Sequence, residues 1–254
     1  MTDLRVRAAT TADATVDTVP DSAGPRGLTE LRVQQWCVWS APLFVVLLFG
    51  GLLLAGWVPP PAPGMTAAEV AAMYAQNPDL KRLGFIVVFL GGGVSAGLVA
   101  AIHHQLRRIP GARPLALLQV MGGTLGVAAV SAPAIVWMAA AYRPGRDPEI
   151  TQALHDMAFI PFIGNLVPFL VQAVAIGVAV LMQDPDRPRL PRWLGFYNLW
   201  TAFLTLPGLL LIFFHGGAFA WNGLLVFWVV ATVFGGWFLV MFTVLRARLR
   251  AEAA

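Results

Sequence analysis

From Trp193 to Leu245 the chain carries no Asp, Glu, Lys or Arg. A water-exposed fold cannot be covered over such a length without charge, and a single membrane crossing needs only about 20 apolar residues. The stretch must therefore cross a bilayer twice. Its one turn-like interruption, His215-Gly216-Gly217 through Trp221-Asn222-Gly223, divides it into two spans joined by a tight loop. The rest of the chain has the same character: 58% of all residues are hydrophobic and 12% charged, against about 25% charged in ordinary soluble domains.

Four further apolar runs precede this pair. We place the six spans at roughly 37–58, 83–106, 115–140, 157–182, 193–214 and 220–245. The expected fold is all-α: one polytopic transmembrane bundle over 31–250, behind a polar, disordered cytoplasmic tail over 1–30. The first span, preceded by that tail, reads as an uncleaved signal anchor. Trp57 and the run Pro59-Pro60-Pro61 end it. The next loop carries Thr66 and Glu69 in capping-box spacing. After the third span, Asp147-Pro148-Glu149 reads as an N-cap, a proline at the first helical position and an acid in the first turn. Short amphipathic helices are thus expected in the first two outer loops.

Orientation follows from the basic residues, of which there are 17. With the N-terminus inside, Arg5, Arg7, Arg26, Arg32, Arg107, Arg108, Arg113, Arg187, Arg189, Arg192, Arg246, Arg248 and Arg250 lie on the cytoplasmic side, and only Lys81, Arg82, Arg143 and Arg146 lie outside. This asymmetry matches the positive-inside rule, so both termini are expected in the cytoplasm. The same pattern accounts for the net charge of +4 without a nucleic-acid partner. Location in the cytoplasmic (inner) membrane of a bacterium is expected, with the lipid bilayer and other membrane subunits as partners.

Chemistry-bearing residues are sparse. No ionisable Asp, Glu, Lys or Arg lies clearly inside a span, which argues against a proton pump or charge-selective channel. The only lysine, Lys81, lies outside the apolar runs, and the only cysteine, Cys37, has no disulfide partner. The fourth span carries Pro161, Asn165, Pro168 and Gln172 at spacings that share one face of a continuous helix. The fifth carries Asn198, Thr201 and Thr205 on one face. These five polar residues are the candidates for lining a ligand site; the competing reading is polar glue between helices. Gly84, Gly91 and Ser95 in the second span, and Gly122, Gly123 and Gly126 in the third, are small-residue packing faces rather than a phosphate loop. His155, Asp156 and His215 map to outer helix ends and are the candidates for a metal or haem site, although no ligand-spacing motif accompanies them. No cofactor motif is otherwise present.

The Pro-rich first outer loop, the run Thr66-Ala67-Ala68-Glu69-Val70-Ala71-Ala72-Met73-Tyr74 and the sequence Arg82-Leu83-Gly84 opening the second span resemble a family of six-helix actinobacterial integral membrane proteins of unknown function. The resemblance implies the six-helix fold and no activity. Two functional classes stay open. One is a membrane protein that binds or passes a small apolar or lipid-like molecule, or serves as a subunit of a membrane complex. The other is a membrane enzyme or redox protein using the outer His/Asp cluster.

Overall fold

The computed structural model describes residues 25–253, all of them in helices, turns or irregular segments. Among the described residues, six helical segments are long and apolar enough to cross a membrane: Thr29–Leu54, Pro78–Leu106, Arg113–Tyr142, Pro148–Leu181, Arg192–Phe213 and Gly217–Ala253. The chain is thus all-helical and compatible with a multi-pass integral membrane protein. Its outer surface agrees: Trp36, Val46, Trp200, Phe203, Phe213 and Leu224 are each at least 60% exposed. A soluble monomer rarely tolerates so continuous an apolar exterior.

The first span is α1 (Pro25–Leu54). It begins inside the segment read from sequence as a disordered tail, so residues 25–30 are helical; residues 1–24 of that tail lie outside the described residues. The connection to the second span holds α2 (Ala67–Ala75). Thr66 caps it: its hydroxyl accepts from the Glu69 N–H, while the Glu69 carboxylate accepts from the Thr66 N–H at 2.7 Å. The second span is α3 (Pro78–Val94) and α4 (Ala96–Leu106), separated at Ser95. The third is α5 (Arg113–Tyr142). The Asp147-Pro148-Glu149 start signal opens α6 (Pro148–Gly164) directly, so no separate short helix precedes the fourth span. That span continues as α7 (Val167–Leu181). The fifth is α8 (Arg192–Thr205), tightening to a 3-10 helix over Leu206–Phe213. The sixth opens with a π-helical segment, Leu224–Val229, and runs on as α9 (Val230–Ala253).

The spans close into a ring in chain order. α1 packs on α3, α3 on α5, α5 on α6 and α7, α7 on α8, α8 on α9, and α9 returns to α1. Consecutive neighbours are what short connections demand. Between apolar helices in lipid there is little hydrophobic drive, so close backbone approach and van der Waals contact must hold the ring. Glycines permit that approach. A Cβ on Gly84 would stand 2.5 Å from the Gly51 carbonyl oxygen of α1, and one on Gly122 would stand 2.7 Å from the Pro168 carbonyl of α7.

At the end of the bundle holding the chain's C-terminal helix end, one carboxylate ties three elements. Glu252 of α9 pairs with Arg189 at 2.9 Å, Arg248 at 3.1 Å and Arg108 at 3.6 Å, and its side chain is only 13% exposed. At the opposite end Lys81, read from sequence as lying outside the apolar runs, is buried in the second turn of α3.

Candidate functional site

The fourth span is not one continuous helix. α6 stops at Gly164, Asn165 leaves helical geometry (φ −80°, ψ 61°), and α7 restarts at Val167. Pro168 explains the break: it has no N–H to offer the Gly164 carbonyl, and its ring crowds that same carbonyl. The chain recovers by other bonds. Leu166 N–H donates to Gly164 O at 2.9 Å, and Asn165 N–H donates to Pro161 O at 3.0 Å. The continuous helical period that would put Pro161, Asn165, Pro168 and Gln172 on one face is therefore interrupted between them.

Two further irregularities stand close by. At Ser95 the second span bends, with the Ser95 hydroxyl donating to Gly92 O at 2.7 Å. Such back-bonding from serine deflects helices. In the sixth span the π-helical segment includes Val226 and Phe227. Ser95, Asn165, Leu166, Val226 and Phe227 all line a single cavity of about 110 Å³ inside the ring. Irregular backbone at membrane depth is tolerated where it is packed in protein or borders a cavity; here three such points converge on one.

The wall is mostly hydrocarbon and aromatic, including Phe44, Leu48, Phe162, Phe169, Phe234 and Phe238. Its polar side chains are Ser95, Asn165 and Gln172. Gln172 is buried and donates to Gln119 Oε1 at 3.3 Å; Gln119 in turn donates to Val99 O at 3.1 Å. Gly123 makes this reach possible, since a Cβ there would lie 2.9 Å from Gln172 Nε2. Asn165 is exposed and lines the cavity.

The other three lining candidates lie elsewhere. Asn198, Thr201 and Thr205 are buried but do not border this cavity. Asn198 Nδ2 donates to Leu194 O at 2.8 Å, and its Oδ1 accepts from Trp237 Nε1 at 2.8 Å. Thr205 Oγ1 donates to Ala202 O at 2.9 Å. Their polar atoms serve their own helix and α9.

His155, Asp156 and His215 are also separated in environment. His155 is 1% exposed and faces an aromatic cluster of Trp57, Tyr74, Phe159 and Trp221, with Tyr74 Oη 3.1 Å from its Nδ1. Among the described residues its Nε2 has no partner, nor do the indole N–H groups of Trp57 and Trp137. Asp156 is half-buried and His215 exposed, close enough for their charges to interact but without an ion pair among the described residues. No group of three His, Cys, Asp or Glu side chains converges among the described residues. Burial pushes the Tyr74 phenol well above its ordinary pKa, and the Asp156 charge adds to this.

Comparison with known proteins gave no match to any family model, curated protein or solved structure.

Sequence reasoning did not single out Ser95 as a cavity residue, Gln119 as the partner of Gln172, or Tyr74 as the partner of His155. Ser95 and Gln119 were visible as polar residues within apolar runs. Tyr74 lies 81 residues from His155, and nothing local points to it.

Proposed function

We propose that this chain is a multi-pass integral membrane protein of a bacterial cytoplasmic membrane, both termini inside, that binds a small neutral molecule in the cavity between its broken spans. The single observation carrying this reading is the convergence of Ser95, Asn165–Leu166 and the π-helical Val226–Phe227 on one cavity. A bundle serving packing alone has no reason to interrupt three spans around the same space. The ligand class follows from the lining. An engineered apolar cavity of about 150 Å³ accepts benzene, so 110 Å³ suits a body of that order, or the tip of a longer lipid-like chain. Asn165 forms no side-chain hydrogen bond among the described residues, which gives such a ligand one polar anchor. No charged side chain lines the space, so a neutral molecule fits best.

Two experiments test this. Protein purified from its own membrane and extracted with organic solvent should yield one neutral, weakly polar compound in near-equimolar amount. Asn165→Leu should retain folded yield and lose that compound; equal amounts from both would contradict the reading. For orientation, an alkaline phosphatase fusion at Ala62 should be active and one at Ala251 inactive, and the reverse pattern would overturn the topology. The second reading, a metal or haem centre on His155, Asp156 and His215, draws support from the unpartnered His155 Nε2. Metal analysis and an absorption spectrum of the purified protein test it.

A further inference from the structure

The basic residues at the α2 end of the bundle are unusually placed. Among the described residues, the basic residues at this end are Lys81, Arg82, Arg143 and Arg146. Three of those four line one pocket of about 360 Å³, formed by α2, the start of α3, the end of α5 and the α5–α6 connection. The positive-inside rule disfavours arginine on the side that we assign to the outer face. Three guanidinium groups around one pocket also repel each other. Their gathering therefore asks for a compensating negative charge.

Among the described residues no Asp or Glu lines the pocket. Arg82 meets Asp79 at 2.9 Å, but that carboxylate side chain is 93% exposed and gives little in return. Arg82 Nε also donates to Ala141 O at 3.1 Å, which fixes the guanidinium plane at the pocket wall. Arg143 and Arg146 form no ion pair or hydrogen bond among the described residues. The nearby acids have other tasks: Asp147 caps α6 through the Glu149 N–H at 2.8 Å, and Glu69 closes the capping box of α2. Gly145, at φ +74°, turns the connection sharply between Arg143 and Arg146 and keeps both beside the pocket. That left-handed backbone is where glycine is required.

The hydroxyls of the lining residues Tyr74 and Thr151 are engaged with His155 Nδ1 and the Asp147 carbonyl, so the guanidiniums supply the donors; the remaining lining is largely alanine, which leaves room for a ligand. Planar guanidiniums match tetrahedral oxyanions through paired N–H donors. Three of them offer more donors than the two oxygens of a carboxylate accept.

We propose that this pocket binds a phosphate oxyanion, carried either by free inorganic phosphate or by the headgroup of an anionic phospholipid. The pocket is separate from the cavity of the proposed function, so either can stand without the other.

The test uses the full chain and has two arms. In neutral detergent, inorganic phosphate is titrated by calorimetry at constant ionic strength set with chloride. In phosphate-free buffer, protein in nanodiscs of phosphatidylcholine with or without phosphatidylglycerol is released and its retained lipid read by native mass spectrometry. Saturable phosphate binding, or selective retention of phosphatidylglycerol, is expected in the wild type. Binding in the first arm assigns the site to free phosphate, and retention in the second alone assigns it to the headgroup. Arg146→Gln should weaken the response about tenfold or more, the loss expected for a charge-assisted contact. Arg143→Gln, at an exposed position without contacts, should weaken it in the same direction with no effect on folding. Arg250→Gln, at the opposite end, should leave it unchanged. The proposal is overturned by no binding in either arm, or by binding that Arg143→Gln leaves intact or that Arg250→Gln reduces equally.

Discussion

The contact between α1 and α3 sets a quantitative test of how this ring is held. A methyl on Gly84 would lie 2.5 Å from Gly51 O, 2.7 Å from the Ala55 nitrogen and 3.1 Å from Ala55 Cβ. The first two are backbone atoms and cannot rotate away. Ordinary contact begins near 3.4 Å, so the helices must part locally by roughly the 0.9 Å between 2.5 and 3.4 Å. A gap of about 0.5–1 Å forfeits a quarter to a half of each dispersion well along the interface. Overpacking of this kind costs about 1–3 kcal/mol, and backbone opposition puts Gly84→Ala at the upper end. The better helix propensity of alanine returns up to about 1 kcal/mol. The net expectation is a loss of about 2 kcal/mol. Gly93→Ala lies in the same helix, where a Cβ meets nothing within 4 Å, and should be neutral or stabilising by up to about 1 kcal/mol. Unfolding in mixed micelles with increasing sodium dodecyl sulfate, followed by circular dichroism, measures both. Equal stability of the two variants would refute the argument that close backbone approach holds α1 to α3.

Other expectations concern the two ends of the bundle. Glu252→Gln removes the shared counter-ion of Arg108, Arg189 and Arg248; with each arginine about a third exposed, a loss of about 1–2 kcal/mol is expected in the same unfolding assay. Tyr74→Phe leaves His155 Nδ1 without its partner in the aromatic cluster, which should cost about 1–3 kcal/mol. Because the folded pKa of Tyr74 is raised, its contribution to stability is full below the ordinary phenol value of about 10. It is lost as pH rises above that value, since the unfolded phenol ionises first. The alkaline loss of stability should be shallower in Tyr74→Phe, and an unchanged slope would contradict the burial of that hydroxyl.

The six apolar helical segments were legible because lipid demands long charge-free runs, and the stretch from Trp193 to Leu245 admits no other reading. The Thr66–Glu69 cap is equally local: both partners lie within four residues. The site was harder to read. Placing Asn165 and Gln172 on one face assumed an unbroken helix, and Pro168 breaks that assumption by displacing the chain at Asn165–Leu166. For the Asn198 face the sequence left ligand lining and polar glue both open, because its partner, the Trp237 indole, comes from a different helix. The same holds for His155, paired through Tyr74 to α2. Polar groups in lipid must find partners, but sequence periodicity shows only which face they occupy and not what crosses to meet them.

Occupancy of the central cavity is the claim on which the functional reading stands. Gly126 borders that cavity, and a Cβ there would meet nothing within 4 Å, so Gly126→Leu should fill the space without disturbing the ring. The decisive measurement is a fluorine NMR titration of 2-fluoropyridine, a ring close to benzene in size with one acceptor nitrogen for the Asn165 amide, into nanodiscs containing either form of the protein. The account predicts a saturable, one-to-one bound signal in the wild type, above partitioning into lipid, and its disappearance in Gly126→Leu. No saturable signal in the wild type, or the same signal in both proteins, would contradict it.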